Sequence, residues 1–350
     1  MAISYLKPIV VEGMEQMKNS RAMIWEMARK EWPFSSSSLR ELLKILGKHH
    51  RDIHERAFSL AIEQVGVASG MEYVRNEPLL LGSGARGEQL LFSDQDHALI
   101  YEIDQDMPLS SLDWDAYFSQ IGHVYAALLH ELGYPLCSGN VMMSNPRWRG
   151  ETRKWTASIQ EYWEYPDWEN IRFLLIASEA RPILSDHDLF SSIRQSITNH
   201  IANSPYICWK IADQLITERV PGMKSSHRRQ PFKDVENAVK ERLYTPLVNG
   251  VRLWAVYEQI DAVSTFDRIE RLQKNGVWSE AFASDVASAL RVALTMRLRE
   301  QWIKTSAKNA GAKTVPLSLS SKDWEELNTS FITLRKLLQL SVKQFPRPRR

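Results

Sequence analysis

The sequence predicts an α+β fold: a small sheet flanked by helices, with an N-terminal helical segment before it and an all-α C-terminal bundle after it. Three observations lead there. Apolar residues recur at three- and four-residue spacing up to about residue 68. Short unbroken apolar runs then appear between Pro78 and Ile103. Beyond about residue 187 the spacing is helical almost throughout. The divisions implied are 1–70, 71–190 and 191–350.

In the first segment, Met23, Trp25, Met27 and Ala28, then Leu39, Leu42, Leu43 and Leu46, fall at helical intervals. Pro33 and the serines at 35 to 38 supply a break and an N-cap between two helices. From Pro78 the texture changes. LLLGSG is an apolar run ending in glycines and HALIYEI repeats it after a polar stretch, as two buried strands would, and ARGEQLLF between them suits a helical turn. Residues 112 to 132 read as a helix ended by Gly133-Tyr134-Pro135, whereas NIRFLLIASEARPIL fits a strand or a buried helix equally well. In the last segment, Leu253, Val256, Tyr257 and Ile260 form one stripe, with Gly276 as a turn before another helix from 278. Residues 221 to 231 read as a loop between two groups of helices.

With 44% apolar and 25% charged residues and no long apolar run, the chain resembles a soluble protein, and a cytoplasmic location is expected in the absence of an export signal. Cys137 and Cys208 are too few for a disulfide framework or a thiolate zinc site, so both are expected as small buried residues. A net charge of +2 does not suggest a surface that coats nucleic acid.

The chemistry concentrates in LLLGSGARGEQLLFSDQDHALIY, residues 79 to 101. A strand running into Gly82 and Ser83 lets the backbone approach phosphate oxygens, with free N–H groups at the start of the next turn. Arg86, one turn on, offers a planar fork of donors to a triphosphate. Asp94 and Asp96 are one residue apart, so on extended chain both carboxylates face one way and can share magnesium, or manganese in its place. Strand, Gly-Ser, short helix, D-x-D and second strand make an ordered set suited to holding a nucleoside triphosphate with its metal.

These residues also carry a resemblance. GSGARGEQLLFSDQDHALIY resembles the signature G-S-x-G-R-x-E-Q-x-x-x-[ST]-D-Q-D-N-A of the DUF294 nucleotidyltransferases, relatives of the bacterial uridylyltransferase that modifies the PII signalling protein. Downstream, SGNVMMSNPRWRGETRKWTASIQEYW and ASEARPILSDHDL are similar to further segments of that family. GVRLWAVYEQIDAVSTFDRIERL and MRLREQW resemble its helical substrate-binding domain. The resemblance implies a mixed sheet of the DNA-polymerase-β-like nucleotidyltransferase type and transfer of a nucleoside monophosphate from a nucleoside triphosphate to an acceptor hydroxyl, with a PII-like regulatory protein as a candidate acceptor. It implies a third carboxylate on a later strand, for which Glu179 is the candidate, with a salt bridge to Arg181 or Arg172 as the alternative. It also makes Asn145 and Arg147 candidates for the nucleotide cleft. The sequence departs from the family at Gly84-Ala85-Arg86 and at His97, which replaces the usual Asn. These departures motivate the alternative of a nucleotide-binding regulatory protein with weak or no transfer.

Several other features are weighed on their own residues. His50 and His54 stand four apart and could bind a metal or simply form one helix face. Trp155, Trp163 and Trp168 read as core and Trp148 as a packing residue. Asp186 and Asp188 read as caps for a helix from Leu189. The basic stretch Lys224 to Lys233 reads as a solvated loop, with RNA or a triphosphate as less favoured ligands.

Overall fold

The computed structural model describes residues 6–34, 38–107, 113–184, 188–217, 235–309 and 317–348. Asp186 and the stretches 221–231 and 224–233 lie outside the described residues. The chain divides into two compact units, Met1–Lys30 with Leu43–Ile197, and Glu31–Leu42 with Thr198–Arg350.

The first unit is α+β. Helix α1 spans Pro8–Lys30 and buries Val10, Met14, Met17, Ile24 and Ala28, the helical interval expected of one apolar face. Helix α2 spans Leu39–Val65. Gly13 lets the two helices approach, because a Cβ there would collide with the Leu60 side chain. Strand β1, Val74–Leu80, pairs antiparallel with β2, His97–Ile103, in a register running from Val74 opposite Ile103 to Leu80 opposite His97. Strand β3, Arg149–Glu151, lies parallel to β2, and the short β4, Arg181–Pro182, lies antiparallel to β1. The sheet order is β3-β2-β1-β4, a small mixed sheet.

Between β1 and β2 lies the five-residue helix α3, Gly82–Arg86. The helical turn therefore falls earlier than ARGEQLLF suggested, because Gly87 at φ 67° ends it. The residues after it are held by the Glu88 N–H on the Ser83 carbonyl (2.9 Å) and the Leu90 N–H on the Ser93 hydroxyl (3.0 Å). Helix α4, Trp114–Glu131, is capped by Asp113 and packs its aromatic stripe on the sheet. Phe118 stacks on Tyr101 and Tyr125 meets His97 edge-on, each with centroids 4.7 Å apart, so same-face residues four apart on β2 meet residues two turns apart on α4. Helices α5, Thr152–Glu164, and α6, Trp168–Ala177, follow. NIRFLLIASEARPIL is thus both of the elements proposed for it: helix to Ala177, then strand at Arg181.

Helix α7, Ser191–Ala202, starts two residues later than expected, and the Asp188 backbone carbonyl receives the Ser191 N–H. The second unit is helical. It holds α8 (Pro205–Thr217), then α9 (Val235–Val239), which runs through a π-helical turn at Lys240–Tyr244 into α10 (Thr245–Tyr257), then α11 (Thr265–Lys274), α12 (Glu280–Asn309) and α13 (Ser321–Gln344). Helices α10 and α13 meet at Gly250, where a Cβ would lie 2.9 Å from Leu337, and the Trp254 indole N–H donates to the Ser341 hydroxyl at 2.9 Å. Gly276, at φ 75°, makes the turn before α12. Phe34, from the segment 31–42, is buried edge-on against Trp302, and its carbonyl accepts from Arg299 (2.9 Å). Among the described residues no helix is long and apolar enough to cross a membrane.

Candidate active site

The register of β1 and β2 brings the C-terminal end of one strand against the N-terminal end of the other. Just beyond that end, the Leu81 N–H donates to the Asp96 carbonyl at 3.0 Å, so the Gly-Ser turn and the acidic pair are tied through the backbone. Gly82 sits at φ 52°, and a Cβ on it would collide with the Asp96 carboxylate oxygen Oδ2. Glycine is needed here for both the backbone angle and the space. Gly82 and Ser83 are the first residues of α3, whose opening N–H groups have no partner within the helix.

The sequence alternation is preserved across the acidic pair. Asp94 and Asp96 are half-buried on one side, while Gln95 and His97 are fully buried on the other. Gln95 donates through Nε2 to the carbonyls of Ala126 (3.1 Å) and Tyr134 (3.0 Å). His97 accepts the Met143 N–H at Nδ1 (3.0 Å), so Nε2 carries the proton toward Gln95 Oε1 at 3.1 Å. Burial holds the His97 imidazole well below its ordinary pKa, assisted by His54, so the ring is neutral. It serves as a brace behind the acidic pair.

Two of the expected site residues meet each other. Arg86 is buried; its Nε donates to Glu88 at 2.9 Å and its Nη1 to Glu179 at 2.8 Å, and both carboxylates are at most 1% exposed. The guanidinium expected to meet a triphosphate and the carboxylate expected to complete the metal site are thus joined in one buried cluster. Glu179 is thus paired with Arg86, a partner the sequence does not offer beside Arg181 and Arg172.

Oxygen-only donors at Asp94 and Asp96 suit a hard cation such as magnesium. Among the described residues no group of three or more His, Cys, Asp or Glu is placed to hold a metal. Two carboxylates fit the habit of magnesium, which completes its shell with substrate phosphates and water. Residues 27–169 match the family model described as "Putative nucleotidyltransferase DUF294", and residues 234–345 match its companion, "Putative nucleotidyltransferase substrate binding domain". The chain belongs to this family. No curated protein matches it.

In this DUF294 chain the loop 135–141 runs beside the acidic pair: the Gln95 N–H donates to the Pro135 carbonyl (3.0 Å) and the His97 N–H to the Val141 carbonyl (3.1 Å). That loop brings to the site Cys137, which the sequence reads only as a small buried residue. Cys137 is half-buried and its thiol donates to the Asp96 carboxylate; burial first, then the Asp96 charge, pushes its pKa to about 12. Cys208 is buried, as expected. No sequence signal could have found Cys137, since a lone cysteine reads as packing.

The remaining candidates have partners within the protein. His50 and His54 are buried, with their Nδ1 atoms on the hydroxyls of Tyr134 (2.7 Å) and Tyr125 (2.5 Å). Burial lowers both, His54 to about 3. Asn145 turns the chain by accepting the Arg147 N–H at 3.0 Å, and Arg147 pairs with Glu169 and Asn170 over the rings of Tyr162 and Phe173. Trp148 and Trp155 are core residues, whereas Trp163 and Trp168 are only half-buried because α5 and α6 each turn one side to solvent.

Proposed function

We propose that this nucleotidyltransferase moves a nucleoside monophosphate from a nucleoside triphosphate to an acceptor hydroxyl, with magnesium held by Asp94 and Asp96. The observation that carries it is the tie between Leu81 and Asp96, which sets a phosphate-accepting Gly-Ser turn against a carboxylate with only a glycine between. When bound, magnesium lowers the pKa of the attacking hydroxyl and offsets charge on the departing pyrophosphate.

In this reading the N–H groups of Gly82 and Ser83 and the Ser83 hydroxyl hold the phosphates in line. The acceptor oxygen bonds to the α-phosphorus as its proton passes to solvent water, the bond from that phosphorus to the bridging oxygen breaks, and pyrophosphate leaves. Arg86 and Glu179 act as a unit in our proposal. Glu179 holds Arg86, and Arg86 fixes the end of α3, so the carboxylate serves the site without touching metal. The second unit would present the acceptor, in keeping with the family description of residues 234–345. A regulatory protein of the PII kind, modified on a tyrosine hydroxyl, is the acceptor favoured by the family resemblance.

The protein is incubated with each labelled nucleoside triphosphate, magnesium and cell extract. We expect a labelled product that disappears in Asp94→Asn with Asp96→Asn. Equal labelling by the double variant, or none by the unaltered protein, overturns the proposal.

A further inference from the structure

We propose that Arg172 of α6 is the cation that receives the outer phosphates of the nucleoside triphosphate, in place of Arg86. This rests on the nucleotidyl-transfer reading above and adds to it the residue that distinguishes a triphosphate from a monophosphate.

The position of Arg86 asks for such a group. Arg86 is bonded to two buried carboxylates, Glu88 and Glu179, and is itself buried. Drawing it away from them to meet a triphosphate is costly.

Arg172 is placed otherwise. It is exposed, and among the described residues it makes no ion pair. Its Nη2 reaches over Gly139, within 3.3 Å of where a Cβ would stand, and the Cys137 sulfur lies 3.7 Å from that same point. Cys137 in turn donates to Asp96. The guanidinium, the thiol and the acidic pair therefore follow one another along one edge of the site, and Gly139 leaves the space through which the guanidinium passes. A planar fork with no competing carboxylate is suited to phosphate oxygens. The other arginines around this loop are engaged: Arg147 with Glu169 and Asn170, and Arg149 with Asp115 and the carbonyls of Met143 and Ser144.

Calorimetry with ATP, GTP, CTP and UTP, each with magnesium, identifies the nucleotide that the unaltered protein binds best. Arg172→Gln is then expected to weaken that triphosphate by about tenfold or more, the magnitude of one charge-assisted contact. Its affinity for the matching nucleoside monophosphate and its thermal unfolding should stay unchanged, and Arg172→Lys should recover part of the loss. Triphosphate affinity unchanged in Arg172→Gln, or lost in equal measure for mono- and triphosphate, overturns the assignment while leaving the transfer reading intact. No magnesium-dependent binding of any triphosphate by the unaltered protein overturns both, and an Asp94→Asn, Asp96→Asn control that binds as the unaltered protein does marks the transfer reading as the one that failed.

Discussion

Gly82 has two independent reasons to be glycine, its left-handed backbone and the Asp96 carboxylate where a side chain would go. Gly82→Ala is expected to reduce nucleotide turnover by at least about a hundredfold, the scale set by ångström-level misplacement of reacting groups. Steady-state kinetics checks this, with circular dichroism to confirm that the fold is kept. Arg86 is different in kind. Arg86→Met removes the guanidinium bonded to both buried carboxylates, Glu88 and Glu179, and the expected loss of stability is about 3–5 kcal/mol, measured by urea unfolding. A parallel Arg86→Met, Glu179→Gln chain should recover part of that loss, because one buried charge is gone. At this scale the sequence was legible where chemistry is local. The Asp pair and the Gly-Ser turn follow from period-two alternation and glycine alone, but the occupation of Arg86 by Glu179 depends on a pairing between segments distant in the chain.

Among elements, the contact between α2, α4 and the sheet carries a pH dependence. His50, His54 and His97 are neutral in the folded chain because burial depresses them, while each would protonate near 6.5 when unfolded. Their contribution to stability is fully present above about pH 6.5 and is lost as pH falls below it, by up to about 1.4 kcal/mol per pH unit for each ring. Glu77 on β1 works in the opposite direction. Burial raises it to about 7, so the folded chain holds a proton there that the unfolded chain releases above 4.5, and stability falls as pH rises between those values. Three rings against one carboxyl leave a net decline toward acid. Melting temperatures measured from pH 8 to pH 5 should fall, and more steeply in Glu77→Gln. The elements themselves were largely readable: both long strands, α4 and the helical C-terminal half follow from periodicity. The first half of β1 was not, since Val74-Arg75-Asn76-Glu77 is mostly polar and is held as strand by pairing with β2, including the ion pair of Arg75 with Glu102.

For the molecule as a whole, the chain divides into two compact units, each assembled from segments that are not contiguous in sequence. The segment 31–42 belongs with the helical unit through Phe34, Trp302 and Arg299, and nothing in its composition announces so distant a partner. Phe34→Ala is expected to cost the helical unit about 3–5 kcal/mol, visible in urea unfolding, with magnesium-nucleotide binding retained by calorimetry.

The hydrogen bond from Leu81 to the Asp96 carbonyl is made by main-chain atoms alone, and so is the strand register behind it. Exchanging the acidic side chains for amides of the same shape leaves this frame standing. On the proposed transfer reading, such a disarmed chain would keep the mould of the reactive centre, docking the acceptor without converting it to product. Immobilised on a resin and washed with extract in the presence of a triphosphate, it becomes bait for the missing acceptor.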